Sequence, residues 1–134
     1  VRGAYMEKER ERAEKNGYPS PIQPTKAATD VDYDKAIRFC IDNIDRISIC
    51  AGTHNERSSF LLTEIMKENQ VLENDQRVYF SQLLGMSDHI SYNLSKVNFN
   101  VAKYVPYLKL TSLPFPLRCQ TGIQLIMRLL TMTT

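Results

Sequence analysis

Hydrophobic residues follow two different spacings along this chain, and the change from one to the other predicts its elements. Over Tyr33–Ile44, apolar residues recur at i, i+3, i+4, i+7, i+8 and i+11, which makes one continuous helix face. Short apolar runs at 47–51, 78–83 and 101–105 are typical of buried strands. The first residues, Val1–Ala4, have the pattern of a fourth strand that ends in a turn.

Charge, proline and capping residues place the remaining helices. Residues 6–16 are rich in Glu, Arg and Lys and predict a solvent-exposed helix that ends at Gly17. Three prolines in 18–24 predict an extended loop. Thr29 and Asp32 resemble a capping box at the start of the next helix. Further helices are expected at 58–69 and 87–96.

The order of these elements is β, α, α, β, α, β, α, β. Strands that alternate with helices imply right-handed crossovers and a parallel sheet, so the expected fold class is α/β. Parallel strands place all their C-terminal ends at one edge, where a (β/α)8 barrel of the TIM type has its active site. Four strands are half of such a barrel, so the sequence predicts a fragment of a TIM-type barrel with its intervening helices.

Charge is unevenly distributed and separates the C-terminal part from the rest. The formal net charge of the 134 residues is +2, which is too small to indicate nucleic-acid binding. All fifteen acidic residues lie before position 108, whereas Lys109, Arg118 and Arg128 are the only charged residues after it. A break of this kind often marks a boundary. We therefore expect two regions, 1–107 and a tail of different origin at 108–134.

Cysteine usage and hydropathy bear on the compartment. Cys40, Cys50 and Cys119 are an odd number without CxxC spacing. Cys40 and Cys50 fall in apolar patterns, so both are expected to be buried free thiols in a reducing compartment. No signal peptide can be read at the N-terminus. The apolar run at 123–130 is far shorter than the ~20 residues of a membrane span.

The predicted strand ends carry the candidate chemistry, beginning with Arg2-Gly3-Ala4-Tyr5. Gly3 and Ala4 leave the backbone bare, so a flat ligand could press directly against the main chain. Arg2 offers a planar fork of donors for an anion or for polar ring atoms. Tyr5 adds a rigid apolar face with one polar tip. The structural alternative is a buried strand end that enters a turn.

The other strand ends add polar and apolar groups. Thr53 and His54 could hydrogen-bond a polar ring system or a phosphate. The only other histidine, His89, offers no metal-ligand spacing, so no metal is expected. Met86 gives a soft apolar contact, with core filling as its alternative, and Tyr104 gives a phenol. No nucleophile arrangement or carboxylate pair is visible at these ends, which favours a site where a cofactor supplies the chemistry.

Several of these segments also follow a known pattern in collinear order. It begins with Val1-Arg2-Gly3-Ala4-Tyr5 and continues through His54-Asn55-Glu56. The run 75–86 contains Gln82-Leu83-Leu84-Gly85-Met86, and Lys103-Tyr104-Val105-Pro106-Tyr107 completes the set. Together they resemble the proline dehydrogenase family, most closely the form shared by mitochondrial and some bacterial enzymes. Each piece alone is a weak motif, but the ordered set over 1–107 is specific.

The resemblance implies a (β/α)8 barrel with FAD over the C-terminal strand ends, of which 1–107 is about the last four strands. It also implies oxidation of L-proline to 1-pyrroline-5-carboxylate, by hydride transfer to the flavin N5, with electrons passed to a membrane quinone. The residues that would contact FAD are Arg2, Gly3, Ala4, Thr53 and His54. Those that would wall the proline pocket are Tyr5, Leu83 and Tyr104.

The resemblance further implies a location. A bacterial enzyme of this family would be cytoplasmic or peripheral to the inner membrane, and a eukaryotic one would be mitochondrial. Peripheral membrane association of the full-length enzyme would bring it to its quinone.

Two departures from the family pattern bear on activity. The family's earlier strands, which carry a substrate-contacting lysine, an aspartate and an arginine, are absent before Val1. An arginine pair for the proline carboxylate is expected near Cys119 and Gln120, and neither is arginine. The tail 108–134 is therefore predicted to be non-homologous and disordered or helical, as if translated in a shifted frame. We expect this chain alone to be inactive.

Two other interpretations stay open. One is a different flavin- or phosphate-binding barrel enzyme. The other is a non-catalytic half-barrel that requires pairing with another chain, because two open sheet edges must normally be covered.

Overall fold

The computed structural model describes residues 1–105, and the tail predicted at 108–134 lies outside them. The helices are α1 (Met6–Asn16), α2 (Lys26–Asp42), α3 (Glu56–Glu68) and α4 (Asp88–Lys96). The strands are β1 (Ile49–Gly52), β2 (Val78–Leu83) and β3 (Val101–Tyr104). Within residues 1–105, every helix is too short or too polar to cross a membrane.

The three strands form a parallel sheet in the order β1-β2-β3. Ala51, Phe80 and Val101 lie side by side across its centre. Each strand pairs with its neighbour in sequence, and α3 and α4 make the two connections. The α/β class with a parallel sheet, which alternation of strands and helices predicts, is thus confirmed.

The strand predicted at the N-terminus does not form among the described residues. The Arg2 amide donates to the Gly52 carbonyl at 3.0 Å, which is one backbone hydrogen bond to the end of β1. Gly3 (φ 74°) and Tyr5 (φ 59°) then turn the chain into α1. One backbone hydrogen bond does not make a ladder, so this end lies beside β1 through that bond and the contact of Val1 with Gly52.

Helix α2 begins earlier than the capping pattern predicts. Thr25 is its N-cap, and the Thr25 Oγ1 accepts a hydrogen bond from the Ala28 amide at 3.1 Å. The cap predicted at Thr29 is therefore wrong: Thr29 lies inside the helix and donates its hydroxyl to the Thr25 carbonyl. Only Thr29 has an acidic residue, Asp32, three positions later, whereas Thr25 has Ala28 there but follows directly on the proline-rich loop. The C-cap predicted at Gly17 is confirmed, with φ 70°.

The main hydrophobic cluster of residues 1–105 lies on one face of the sheet. Helices α2, α3 and α4 bury their apolar sides against Ala51, Phe80 and Val101 in a single hydrophobic cluster. Phe80 packs edge-on against Phe99, with ring centroids 5.4 Å apart. The helical members of this core are Ile37, Ile41, Leu62, Ile65, Met66, Ile90 and Leu94.

The opposite face of the sheet carries no helix from residues 1–105. Strand alternation places Cys50, Ser81 and Leu83 on this face, and Cys50 and Leu83 are exposed. The prediction that Cys50 is buried is therefore wrong, because its apolar neighbours point to the helix side while its own side chain points away. Cys40 and Cys50 are free thiols, as predicted, and Cys40 is partly buried.

Candidate functional site

The C-terminal ends of the three strands meet at one edge of the sheet, as parallel pairing requires. Gly52, Leu83 and Tyr104 end the strands, and Leu83 and Tyr104 are register partners. The bond from Arg2 to Gly52 brings the N-terminal segment to the same edge. All eight residues predicted for ligand contact therefore belong to segments that meet at this edge.

Gly3, Ala4 and Tyr5 form an open corner at this edge. A Cβ atom built on Gly3 would meet no atom within 4 Å, so glycine is favoured there by its backbone conformation and not by crowding. The Tyr5 side chain is 68% exposed, and the Lys8 Nζ lies 5.7 Å from its ring centroid. The bare backbone and the aromatic ring thus both remain accessible.

Arg2 is held by residues that the sequence analysis did not find. Its side chain is only 10% exposed, and its guanidinium forms an ion pair with Asp30. It also donates to the Ser58 Oγ at 3.3 Å, and the Ser58 hydroxyl donates to Asp34 at 2.8 Å. Sequence spacing gives no signal for these partners, because they lie 28 and 56 positions from Arg2. The guanidinium thus ties the N-terminal segment to α2 and α3.

Tyr33 lies against the same guanidinium. The carbon at the centre of the Arg2 guanidinium is 6.0 Å from the Tyr33 ring centroid. Burial raises the pKa of the Tyr33 phenol to about 12, although the nearby Arg2 charge acts in the opposite direction. Its hydroxyl has no hydrogen-bond partner among residues 1–105. The phenol therefore stays neutral at physiological pH and serves as an apolar support for Arg2.

Thr53 and His54 follow β1 and differ in exposure. Thr53 is buried, and its Oγ1 accepts from the Asn55 amide at 3.1 Å, which shapes the turn into α3. His54 is exposed, and its Nδ1 lies 2.9 Å from the Ser87 Oγ in the loop after β2. His54 therefore connects the ends of β1 and β2, while Thr53 orders the turn beneath it.

The loop from Leu84 to Ser87 presents apolar groups to solvent. Leu84 and Met86 are 57% and 49% exposed, and Leu83 just before them is 37% exposed. The Leu84 amide donates to the Tyr104 carbonyl at 2.9 Å, so the loop starts directly over β3. Gly85 has a φ of 76°, and a Cβ there would meet open space. The loop is an exposed apolar lip beside Tyr104, whose side chain is half-buried.

A buried polar layer lies under this edge, on the helix side of the sheet. The Gln82 amide nitrogen donates to the Thr53 carbonyl at 3.4 Å, and its oxygen accepts from the Ser91 hydroxyl at 2.9 Å. Lys103, the register partner of Gln82, is 5% exposed. The Lys103 ammonium donates to the Met86 carbonyl at 3.0 Å and to the Asp88 Oδ1 at 2.7 Å. The sequence analysis included Lys103 only as part of the motif 103–107, because the burial of its side chain cannot be read from the sequence.

The second histidine does not belong to this edge site. The His89 Nε2 lies 2.7 Å from the Glu56 Oε1, and both side chains are largely exposed on α4 and α3. Across the described part of the chain, no three His, Cys, Asp or Glu side chains are grouped closely enough to hold a metal ion.

Known proteins are similar in sequence to this chain over most of its length. The sequence profile of the proline dehydrogenase family matches residues 1–115. Proline dehydrogenase 1, mitochondrial, of Drosophila melanogaster is 37% identical over 117 residues, which cover 80% of this chain and 17% of that protein. The protein of the same name from Homo sapiens is 39% identical over 110 residues, covering 80% and 18%. Hydroxyproline dehydrogenase of Xenopus laevis is 37% identical over 123 residues, covering 88% and 26%.

The fold has a similar solved structure. The proline utilization A protein of Bdellovibrio bacteriovorus, crystallised after inactivation by N-propargylglycine, superposes with a TM-score of 0.74 at 25% identity. The match covers 82% of this chain and 11% of that one. The chain spans between 17% and 26% of the length of the three relatives above. The profile match over residues 1–115, which contains the range 1–107 of the resemblance, shows that the chain belongs to the proline dehydrogenase family.

Proposed function

We propose that this chain forms one side of the active site of an FAD-dependent enzyme that oxidises L-proline to 1-pyrroline-5-carboxylate. Electrons would pass to a quinone at a membrane surface. The observation that carries the proposal is the convergence of the predicted contact residues at the C-terminal edge of the sheet. Family membership and the mitochondrial relatives support it and favour a mitochondrial location if the chain is eukaryotic.

The proposed architecture is part of a (β/α)8 barrel. Parallel sheets are normally covered on both faces, yet the helices of residues 1–105 pack on one face only. The uncovered face, on which no helix of residues 1–105 lies, has a row of small residues, Gly52, Ser81 and Ala102, in register across the three strands, and Ala102 is buried. Small and apolar residues suit the packed interior of a closed barrel. Further strands on both edges of this sheet would complete it.

The residues at the strand ends fit the requirements of FAD. A planar ring system needs accessible backbone, and the Gly3-Ala4 corner is open. It also needs polar groups at its rim, which the exposed His54 imidazole and the Thr53 turn supply. Arg2 would mainly hold the N-terminal segment in place, because its guanidinium already binds Asp30 and Ser58. These five residues would hold the flavin.

Tyr5, Leu83 and Tyr104 would wall the pocket for the pyrrolidine ring. Leu83 and Tyr104 are neighbours in register on the uncovered face, and both end their strands. Tyr5 is a largely exposed aromatic ring on the open corner. A small saturated ring is best bound by apolar walls that remove water from its C–H bonds.

In the reaction, FAD when bound supplies the acceptor for a hydride from proline. The residues of this chain bind and orient: Leu83 and Tyr104 exclude water from one side of the pyrrolidine ring, and Tyr5 narrows the opening. Orientation of this kind contributes to rate because it replaces a bimolecular encounter by a positioned one. The carboxylate of proline would be held by groups from elsewhere in the enzyme, since Lys103 is engaged with Asp88.

The test uses the full-length protein that carries this chain. It would be purified, its flavin content measured by absorbance, and its reduction of a redox dye followed with L-proline and with hydroxyproline. We expect a yellow protein with turnover on L-proline. A flavin-free protein without turnover would overturn the proposal. A flavoprotein active only on another cyclic amine would instead support the different flavin barrel.

A second candidate is a non-catalytic half-barrel that pairs with another chain. Within residues 1–105, the sheet has one face without a helix and two edges without a further strand, which favours this arrangement. Size measurement on the 134-residue chain separates the two ideas. A stable complex that folds cooperatively and binds no flavin would support pairing, whereas an exclusively monomeric folded chain would count against it.

A further inference from the structure

Lys103 is a cation buried at the edge where the ligand would bind. It is 5% exposed, yet its neighbours in the buried layer, Gln82, Ser91 and Thr53, are all neutral. A buried ammonium is costly unless charged and polar partners surround it. Its partners are the Asp88 carboxylate at 2.7 Å and the Met86 carbonyl at 3.0 Å. Met86 belongs to the segment that connects β2 with α4, and Asp88 is the first residue of α4.

That segment needs an anchor from outside, because its own conformation is strained. Ser87 has a φ of 51°, in the left-handed region that non-glycine residues avoid. Its hydroxyl does not cap α4 and lies instead against the His54 Nδ1 at 2.9 Å. The side chains of Leu84 and Met86 point into solvent and so contribute little packing. The segment is therefore fixed from both flanking strands, by His54 after β1 and by Lys103 in β3.

The position of Lys103 in the strand gives this anchor a second effect. Tyr104 follows it directly and points to the opposite face of the sheet, where Leu83 is its register partner. One short stretch of β3 thus supports the loop through Lys103 and forms a pocket wall through Tyr104. The two bonds of the ammonium, together with the backbone bond from the Leu84 amide to the Tyr104 carbonyl, hold the loop beside Tyr104.

We propose that Lys103 is a positioning residue that fixes the loop Leu84–Ser87 relative to Tyr104 and so sets the shape of the substrate pocket. It touches neither the substrate nor the flavin in this scheme. The ligand part of the proposal rests on the proposed function, whereas the structural part concerns this chain alone. Without the Lys103 anchor, the reaction would still proceed, but the substrate would bind in a wider and more mobile pocket.

The variants are made in the full-length protein. Lys103→Met keeps the apolar stem and removes the donors, and Lys103→Arg restores a cation. Asp88→Asn removes the charge of a side chain that is 50% exposed, so it is expected to fold even if Lys103→Met does not. The matched control is Asp75→Asn, which breaks an ion pair with Arg77 at the start of β2, at the other edge of the sheet.

The first readout is amide hydrogen exchange in the flavin-free protein. We expect Lys103→Met and Asp88→Asn to raise exchange about tenfold or more in 83–88, with little change in 61–66 of α3. Lys103→Arg should return exchange toward the original value. Unchanged exchange in 83–88 for both loss variants would overturn the positioning role, whether or not the enzyme is active.

The second readout is the separation of KM from kcat with L-proline. We expect Lys103→Met and Asp88→Asn to raise KM about tenfold or more and to change kcat less than about threefold. The control should lower thermal stability and leave KM unchanged. Raised exchange with an unchanged KM would overturn the pocket role. A wild-type protein that does not oxidise proline would overturn the proposed function and this ligand part together, while the exchange result still decides the anchor.

Discussion

The His54 Nδ1 lies 2.9 Å from the Ser87 Oγ, 33 positions away in sequence. Ser87 is the residue before α4, where a hydroxyl would ordinarily cap the helix, but its side chain makes no capping bond. The Ser87 hydroxyl therefore contacts and orients the His54 imidazole ring instead of capping α4. An exposed histidine is held in one place by this contact, at the edge where we expect the flavin to lie.

Ser87→Ala in the full-length protein is expected to weaken flavin binding. The hydroxyl that orients His54 is lost, and one hydrogen bond contributes about 0.5–1.5 kcal/mol, or roughly twofold to tenfold in the dissociation constant. Flavin titration followed by fluorescence measures the change. His89→Ala is the control, because His89 pairs with Glu56 on the outer helices and should leave the affinity unaltered. Equal flavin affinities for Ser87→Ala and the wild type would show that an oriented His54 is not part of the flavin site.

Tyr104→Ala is expected to raise the KM for L-proline more than it lowers thermal stability. Tyr104 ends β3, is half-buried and lies on the uncovered face, so truncation removes area that faces the ligand. Loss of an aromatic face costs roughly 1–3 kcal/mol, or about tenfold to a hundredfold in binding. Steady-state kinetics and thermal unfolding measure both effects. Tyr92→Ala, at an exposed position of α4, is the matched control. A large loss of stability with an unchanged KM would make Tyr104 a core residue.

Gly3→Ala is expected to weaken flavin binding in addition to straining the backbone. Gly3 has a φ of 74°, where an L-residue costs roughly 1–2 kcal/mol, and its Cα faces the open corner of the site. Gly17→Ala is the matched control, because Gly17 has a φ of 70° and equally open surroundings but lies at the end of α1. Denaturant unfolding should show similar losses for both variants, and flavin titration should separate them. The same affinity in both would place the flavin away from Gly3.

Asp75→Asn is expected to flatten the acid side of the stability profile. The bonds from Arg77 lower the pKa of the Asp75 carboxyl from 3.8 to about 2. The folded carboxyl therefore binds its proton less readily than the unfolded one, so the pair stabilises the fold above about pH 4. This contribution is lost as the pH falls from about 4 to about 2. Urea unfolding midpoints across this range should drop less steeply in Asp75→Asn than in the wild type. Parallel profiles would show that the pair contributes nothing to folding.

The 134-residue chain alone is expected neither to retain FAD nor to oxidise L-proline. Ligand sites bury most of the ligand surface, and the sheet of residues 1–105, which has its helices on one face, would enclose a flavin on one side only. Gel filtration of the chain with excess FAD, followed by dye reduction with L-proline, measures both properties. A yellow fraction with turnover would contradict the expectation and would show that residues 1–134 suffice.

Periodicity was enough to predict the parallel α/β arrangement, because a helix face or a buried strand must repeat at fixed intervals. Local chemistry was less reliable where two residues offer the same signal. Thr25 and Thr29 can both cap a helix through their hydroxyl groups, and the acidic residue three positions after Thr29 favours the wrong one; the end of the proline-rich loop decides for Thr25. Cys50 shows a related limit: an apolar run does not tell which face a later element will cover.

The strand ends of the candidate site were predictable, but their supports were not. Residues after a predicted strand can be assigned to one edge once the sheet is parallel, which places Leu83 and Tyr104 together. The contacts from Arg2 to Asp30 and from Lys103 to Asp88 depend on how helices dock across the sheet. No spacing rule in the sequence encodes a distance between elements that are far apart in the chain.

The order β1-β2-β3 has a consequence for synthesis of the protein. Each strand pairs with the one made just before it, so the sheet can grow in step with translation. Every addition covers one open edge and creates the next, and only return to the first strand of the proposed barrel would remove the last one. A nascent chain thus exposes a strand edge with unpaired N–H and C=O groups, which can pair with another chain, throughout synthesis of the sheet. In the proposed barrel, the time to ring closure would set the interval in which the nascent chain can aggregate.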